Sequence, residues 1–147
     1  ANVMYQLTDI DDDNMRQEIM AFFRQQIFQA PHHITSLTLA GYYGQNDDVR
    51  VDYFNPEESY SAELTLLHDW TTWRKYEKDF TQHFEAMIGT FGQDGVSSKP
   101  IYNVFYQHDW QFSRTWSLNY GIGWGTHPYD GEDEEKTYAT VGFKGIF

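Results

Sequence analysis

The sequence contains no cysteine among its 147 residues. That excludes a disulfide scaffold, a thiol nucleophile and a Cys-bound zinc site. Basic residues are scarce, 10 Lys and Arg against 22 Asp and Glu, for a net charge of −12. That sign argues against nucleic acid as a partner, since phosphates need a basic face. No apolar run reaches the roughly 18 residues of a transmembrane helix. No signal peptide is expected, since Ala1 rather than Met opens the chain, as in a processed or excised segment. The length suits one domain over residues 1–147.

What the sequence does have is aromatic side chains. Eleven Tyr, eleven Phe and five Trp make up 18% of it, although mean hydropathy is polar at −0.67. Transmembrane β-strands produce that combination, because lipid-facing and lumen-facing residues alternate and average out.

The alternation is explicit near the C-terminus. Thr137, Ala139, Val141 and Phe143 oppose Tyr138, Thr140, Gly142 and Lys144, a period of two. Trp116, Leu118, Tyr120, Ile122 and Trp124 alternate with Ser117, Asn119, Gly121, Gly123 and Gly125. Similar patterns over 102–112, 80–91, 60–71 and 34–44 give four more strands. Residues 15–28 would also suit a helix, but Ile19, Ala21, Phe23 and Ile27 alternate against Glu18, Arg24 and Gln26. With a short first strand over 2–8, the total is eight. The fold class is all-β: an antiparallel up-and-down transmembrane β-barrel of about eight strands in this chain. A soluble barrel of the same strand number would bury its apolar face inward.

Connections at 9–14, 45–59, 92–98 and 126–135 are expected to be longer than those at 29–33, 73–79 and 113–114. Bacterial outer-membrane barrels have short periplasmic turns and longer outer loops. With Phe147 at the periplasmic rim, the four longer connections fall outside and hold 15 of the 22 acids. Large aromatics then sort into two interfacial bands, Trp70, Trp73, Tyr76, Phe80, Trp110, Phe112, Trp116 and Phe147 near the inner rim, Tyr43, Tyr53, Phe54, Tyr60, Tyr102, Trp124, Tyr129 and Tyr138 near the outer one. The location this predicts is the bacterial outer membrane.

His68-Asp69-Trp70 recurs as His108-Asp109-Trp110, a period of 40 residues that two strands and two connections would fill. In each copy Asp faces the lumen while His and Trp face lipid. The lumenal acids expected from the alternation are Glu18, Glu63, Asp69, Glu85 and Asp109, with Arg24 and Lys144 as internal partners. Of these, Glu63, Asp69, Glu85 and Asp109 are the candidate substrate-binding residues, a row of carboxylates that would concentrate cations. Phe22, Phe91 and Phe105 share that face. Ser61, His83 and Glu85 could be assembled into a nucleophile, base and orienting acid, but no Gly-x-Ser-x-Gly occurs. The acid runs at 11–13 and 132–135 lack the spacing of a calcium loop. No cofactor or metal is expected.

Tyr53-Phe54-Asn55-Pro56, Trp73-Arg74-Lys75-Tyr76-Glu77, Gly89-Thr90-Phe91-Gly92-Gln93 and Tyr129-Asp130-Gly131, followed by Glu132, occur in that order. Over roughly residues 15–147 this resembles the C-terminal part of the barrel of outer-membrane exporters of poly-β-1,6-N-acetyl-D-glucosamine, a biofilm polysaccharide. The resemblance implies export of a partly deacetylated, cationic glycan through an electronegative lumen. It also implies a larger barrel of about sixteen strands, of which this chain supplies half. The chain would then pair with missing strands or with a second copy in the bilayer. Two other expectations stay open: a closed eight-stranded barrel serving as an anchor or adhesion scaffold without transport, and a lipid-modifying enzyme.

Overall fold

The computed structural model describes residues 1–10, 14–47, 56–129 and 132–146. Eight strands form one antiparallel sheet in sequence order: β1 (Asn2–Ile10), β2 (Asn14–Ala30), β3 (His33–Asn46), β4 (Glu58–Lys75), β5 (Lys78–Gln93), β6 (Val96–Gln111), β7 (Trp116–Tyr129) and β8 (Glu132–Gly145). Every neighbouring pair is an up-and-down hairpin. The sheet is open: β1 and β8 are its two edges, with no pairing between them among the described residues.

Cross-strand register sets the two faces. Leu39 stands opposite Phe23 and Leu64, Leu64 opposite Ile88, Ile88 opposite Tyr102. Two residues further in, Leu37, Leu66, Ala86, Val104 and Trp124 make an equivalent row. Apolar meets apolar across the sheet, so one face is continuously hydrophobic. It is also uncovered: Val141 is 79% exposed and Ile122 57%. Among the described residues only Phe91 and Ile101 are buried large hydrophobics. A sheet with its apolar face outward and no core beneath it needs hydrocarbon as its solvent.

Strands of 14 to 18 residues from β2 to β8 exceed the roughly 9–11 needed to cross a bilayer. The surplus explains where the expected loops went. Glu132, Asp133, Glu134 and Glu135, expected in a connection, lie on β8 and pair with 126–129, and Asp9 and Glu58 are likewise on strands. Backbone pairing continues past the hydrocarbon, where charged side chains carry no penalty. The 92–98 connection contracts to Asp94-Gly95, because Gly95 takes a φ of +73°, a conformation glycine enters without strain. The strict alternation of long and short connections therefore does not hold; the one long connection runs from Asn46 to Glu58. Of the acids expected in outer loops, Asp11, Asp12, Asp13, Asp48, Asp52 and Asp130 lie outside the described residues, as do Tyr53, Phe54 and Phe147 of the aromatic bands.

A second correction concerns β2. A bulge between Gln26 and Phe28 shifts the register, so Phe28 rather than Ile27 continues the lipid-facing row, opposite Thr35. A similar bulge between Thr71 and Trp73 puts Trp70 and Trp73 on the same face. The strands are also staggered: the row holding His33 at the inner end of β3 meets β7 at Tyr120, four residues in from Trp116. Staggered ends of this kind accompany tilted barrel strands.

The long connection and the acidic strand ends share one edge, which by the rule for outer-membrane barrels faces out. With the segment in its full-length protein, Asp133→Cys should label with an impermeant maleimide on intact cells, and Arg114→Cys only after the outer membrane is opened. Reversed labelling would invert the orientation.

A candidate lumenal carboxylate site

The face opposite the hydrocarbon carries all five acids expected there. Projected through the register onto β5, Asp109 falls at Thr81, Asp69 at His83, Glu85 at its own position, Glu63 at Gly89 and Glu18 at Gln93. The steps are two, two, four and four residues, about 7 and 13 Å at strand rise. The result is a graded row of carboxylates from the inner to the outer end.

The inner end is the most connected. His83 Nδ1 lies 2.7 Å from Asp69 Oδ1, and its Nε2 lies 2.9 Å from Asp109 Oδ2. Gln107 donates to the other oxygen of Asp109 at 2.7 Å. The 40-residue repeat explains the arrangement: its copies run the same way on β4 and β6, with β5 and His83 between them. A neutral imidazole has one donor and one acceptor nitrogen, whereas carboxylates only accept. His83 thus faces a carboxylate oxygen at each of its ring nitrogens and bridges β4 to β6.

Further out, Glu85 sits between Leu67 and Phe105 and receives a long contact from Asn103 Nδ2 at 3.5 Å. Glu63 accepts from Ser61 Oγ at 3.0 Å and lies beside Gly89. Glu18 pairs with Arg16 at 2.9 Å and accepts from Tyr42 Oη at 2.9 Å. The bridging partner of the inner acids is thus His83; Arg24 and Lys144 make no ion pair among the described residues. Ser61 and His83 are not brought together, since Ser61 pairs with Phe91 and His83 with Asp69. Phe105 stacks on Tyr138 at 5.7 Å and 11°, and Phe91 lies 4.5 Å from the His127 ring. The His and Trp of each repeat point outward, His68 to Thr35 and His108 to Tyr120.

The role of His83 was the part missed in the sequence. Its parity with Asp69 and Asp109 on antiparallel neighbours was the available signal.

The chain resembles known proteins over nearly its whole length. It is 25% identical over 137 residues to poly-beta-1,6-N-acetyl-D-glucosamine export proteins of Escherichia coli K12 and O157:H7, covering 93% of this chain and 17% of theirs. Its fold matches a solved bacterial polysaccharide outer membrane secretin with a TM-score of 0.93 and 24% identity, over 99% of this chain and 50% of that one. The chain therefore spans half of the solved neighbour and about a sixth of the curated relatives. The model of the PgaA membrane beta barrel domain matches residues 1–144. With an uncovered hydrocarbon-facing sheet and a carboxylate-lined reverse face, this outer-membrane β-barrel segment belongs to the PgaA membrane beta barrel domain family.

Proposed function

We propose that this segment forms one half of an export pore for a partly deacetylated poly-N-acetylglucosamine, with Glu63, Asp69, Glu85 and Asp109 meeting the glycan's free amines. The observation that carries the reading is the placement of these four acids along one face whose reverse is hydrocarbon-facing. The names of the relatives support export of this polymer over catalysis.

The two open edges support the half-barrel. Unpaired backbone N–H and C=O groups cannot face hydrocarbon, so β1 and β8 require partner strands. Eight strands closed on themselves are filled by side chains, whereas about sixteen leave an aqueous channel. The missing strands, or a second copy, complete the wall.

Side chains of the Asp69–His83–Asp109 trio are about a third exposed, at 34%, 32% and 42%. Even full ion pairs this wet are worth only about 0–1 kcal/mol. A passing ammonium group can therefore displace the imidazole from a carboxylate at little cost, and His83 returns when the amine moves on. Weak, repeated contacts suit transit better than tight binding.

Replacing the four acids by Glu63→Gln, Asp69→Asn, Glu85→Gln and Asp109→Asn in the full-length protein should lower polymer on the cell surface while polymer accumulates in the periplasm. Unchanged secretion at equal protein level would assign the acids to structure alone.

A further inference from the structure

The inner end of the sheet carries a notch beyond the carboxylate row, which it meets at Asp69. β3 starts at His33, paired with Trp70, while β4 runs on through Lys75. The β2–β3 turn therefore stops short and β4 projects past it. Thr71 N–H donates to the His32 carbonyl at 2.9 Å, fixing the turn against the projecting strand. Two hollows of about 460 and 480 Å³ adjoin there and share His32, His33, Thr71 and Arg74; the first also takes in Asp69, and Arg74 enters both from the lumenal side, opposite Asp79. The second extends to Trp70 and Trp73 on the hydrocarbon-facing side.

The chemistry of the notch is basic and aromatic. His33 stacks on Trp70 at 5.6 Å and 18°. Arg74 has no ion pair among the described residues. The surrounding carboxylates are occupied or apart: Asp69 is held by His83, Glu77 pairs with Arg114 at 3.4 Å, and Asp79, opposite Arg74, is beyond ion-pair distance. Arg74, Lys75 and Lys78 place three of the chain's ten basic residues in one hairpin tip, against a total charge of −12.

We infer that this notch binds the phosphate of an anionic phospholipid in the inner leaflet. Arg74 offers a planar fork to phosphate oxygens, and the His32 imidazole adds a donor, while His33 is held by His68 at 3.3 Å. Trp70 and Trp73 stand on the outward face at the inner end of the sheet, and the usual station of interfacial tryptophan is where glycerol meets acyl chain. Basic side chains at such a level attract anionic lipid. The same charge repels a cationic glycan, so the notch is a lipid site and not a polymer site. The inference rests on the orientation given above but not on the substrate.

Native mass spectrometry of the delipidated full-length protein, titrated with phosphatidylglycerol or phosphatidylcholine, tests it. One phosphatidylglycerol should be retained in preference to phosphatidylcholine. Arg74→Ala should weaken that retention about fivefold, the effect of one basic contact near an anionic surface, and adding His32→Ala should weaken it further. Arg74→Lys, which keeps the charge but not the fork, should retain more than Arg74→Ala and less than the unaltered protein, which separates charge loss from misfolding. Excess inorganic phosphate should not displace the lipid. Equal retention of both lipids, retention unaffected by Arg74→Ala, or displacement by phosphate alone would overturn the assignment and leave the export reading untouched.

Discussion

Val104→Arg in the full-length protein should cost about 2–4 kcal/mol of folding free energy in liposomes, the usual range for a charge near the bilayer midplane. Val104 lies between Ala86 and Trp124 on the outward face and is 48% exposed to what surrounds the sheet. Asn119→Arg should cost far less, because Asn119 stands on the other face opposite Asp109, where a guanidinium finds a carboxylate. Leu118→Arg should fall between them: Leu118 is outward but only two residues from the inner end of β7. Urea-dependent unfolding of the three variants gives the ranking. Equal costs for Val104→Arg and Asn119→Arg would mean the faces are exchanged, as a one-residue slip of register would do.

Gly89→Val should be strongly damaging on the lumenal face. A Cβ at Gly89 would meet the Ala62 carbonyl oxygen at 2.7 Å and Glu63 Cα at 3.2 Å, both backbone atoms of the neighbouring strand. The strand has to move, and overpacking of this kind costs about 1–3 kcal/mol. Gly123 and Gly145 are different, since the atoms a Cβ would meet belong to the rings of Tyr138 and Trp116, which cover them as cross-strand partners. Gly41→Ala serves as the control: its nearest neighbour, the Ser61 carbonyl oxygen, lies 3.9 Å away, so stability should change by less than about 0.5 kcal/mol. Comparable losses for Gly41→Ala and Gly89→Val would remove close backbone approach as the cause.

Most of the faces were legible from period-two alternation, because a strand in a bilayer must put apolar residues on one side whatever its neighbours are. That is why Leu64, Val104, Ile122 and Val141 were assignable one strand at a time. Bulges were not legible: Ile27 looks like a continuation of Phe23 until pairing with β3 shows the extra residue. Strand ends were misread for a related reason. Acids such as Glu132 and Glu134 disfavour strands locally, but hydrogen bonding to 127 and 129 holds them in the sheet beyond the hydrocarbon. The inner acids were placed on the correct face through their alternation, while their link through His83 depended on a contact across two hairpins, 14 and 26 residues away in sequence.

The proposed pore has a wall that attracts cations through Glu63, Asp69, Glu85 and Asp109. The reversal potential of the full-length protein in a planar bilayer under a potassium chloride gradient tests it most directly. Cation selectivity is expected for the unaltered protein, reduced sharply when the four acids are replaced by their amides and raised when His83→Ala frees Asp69 and Asp109 from the imidazole that bridges them. An anion-selective or unselective pore, or a potential that the four replacements leave unmoved, would contradict the account.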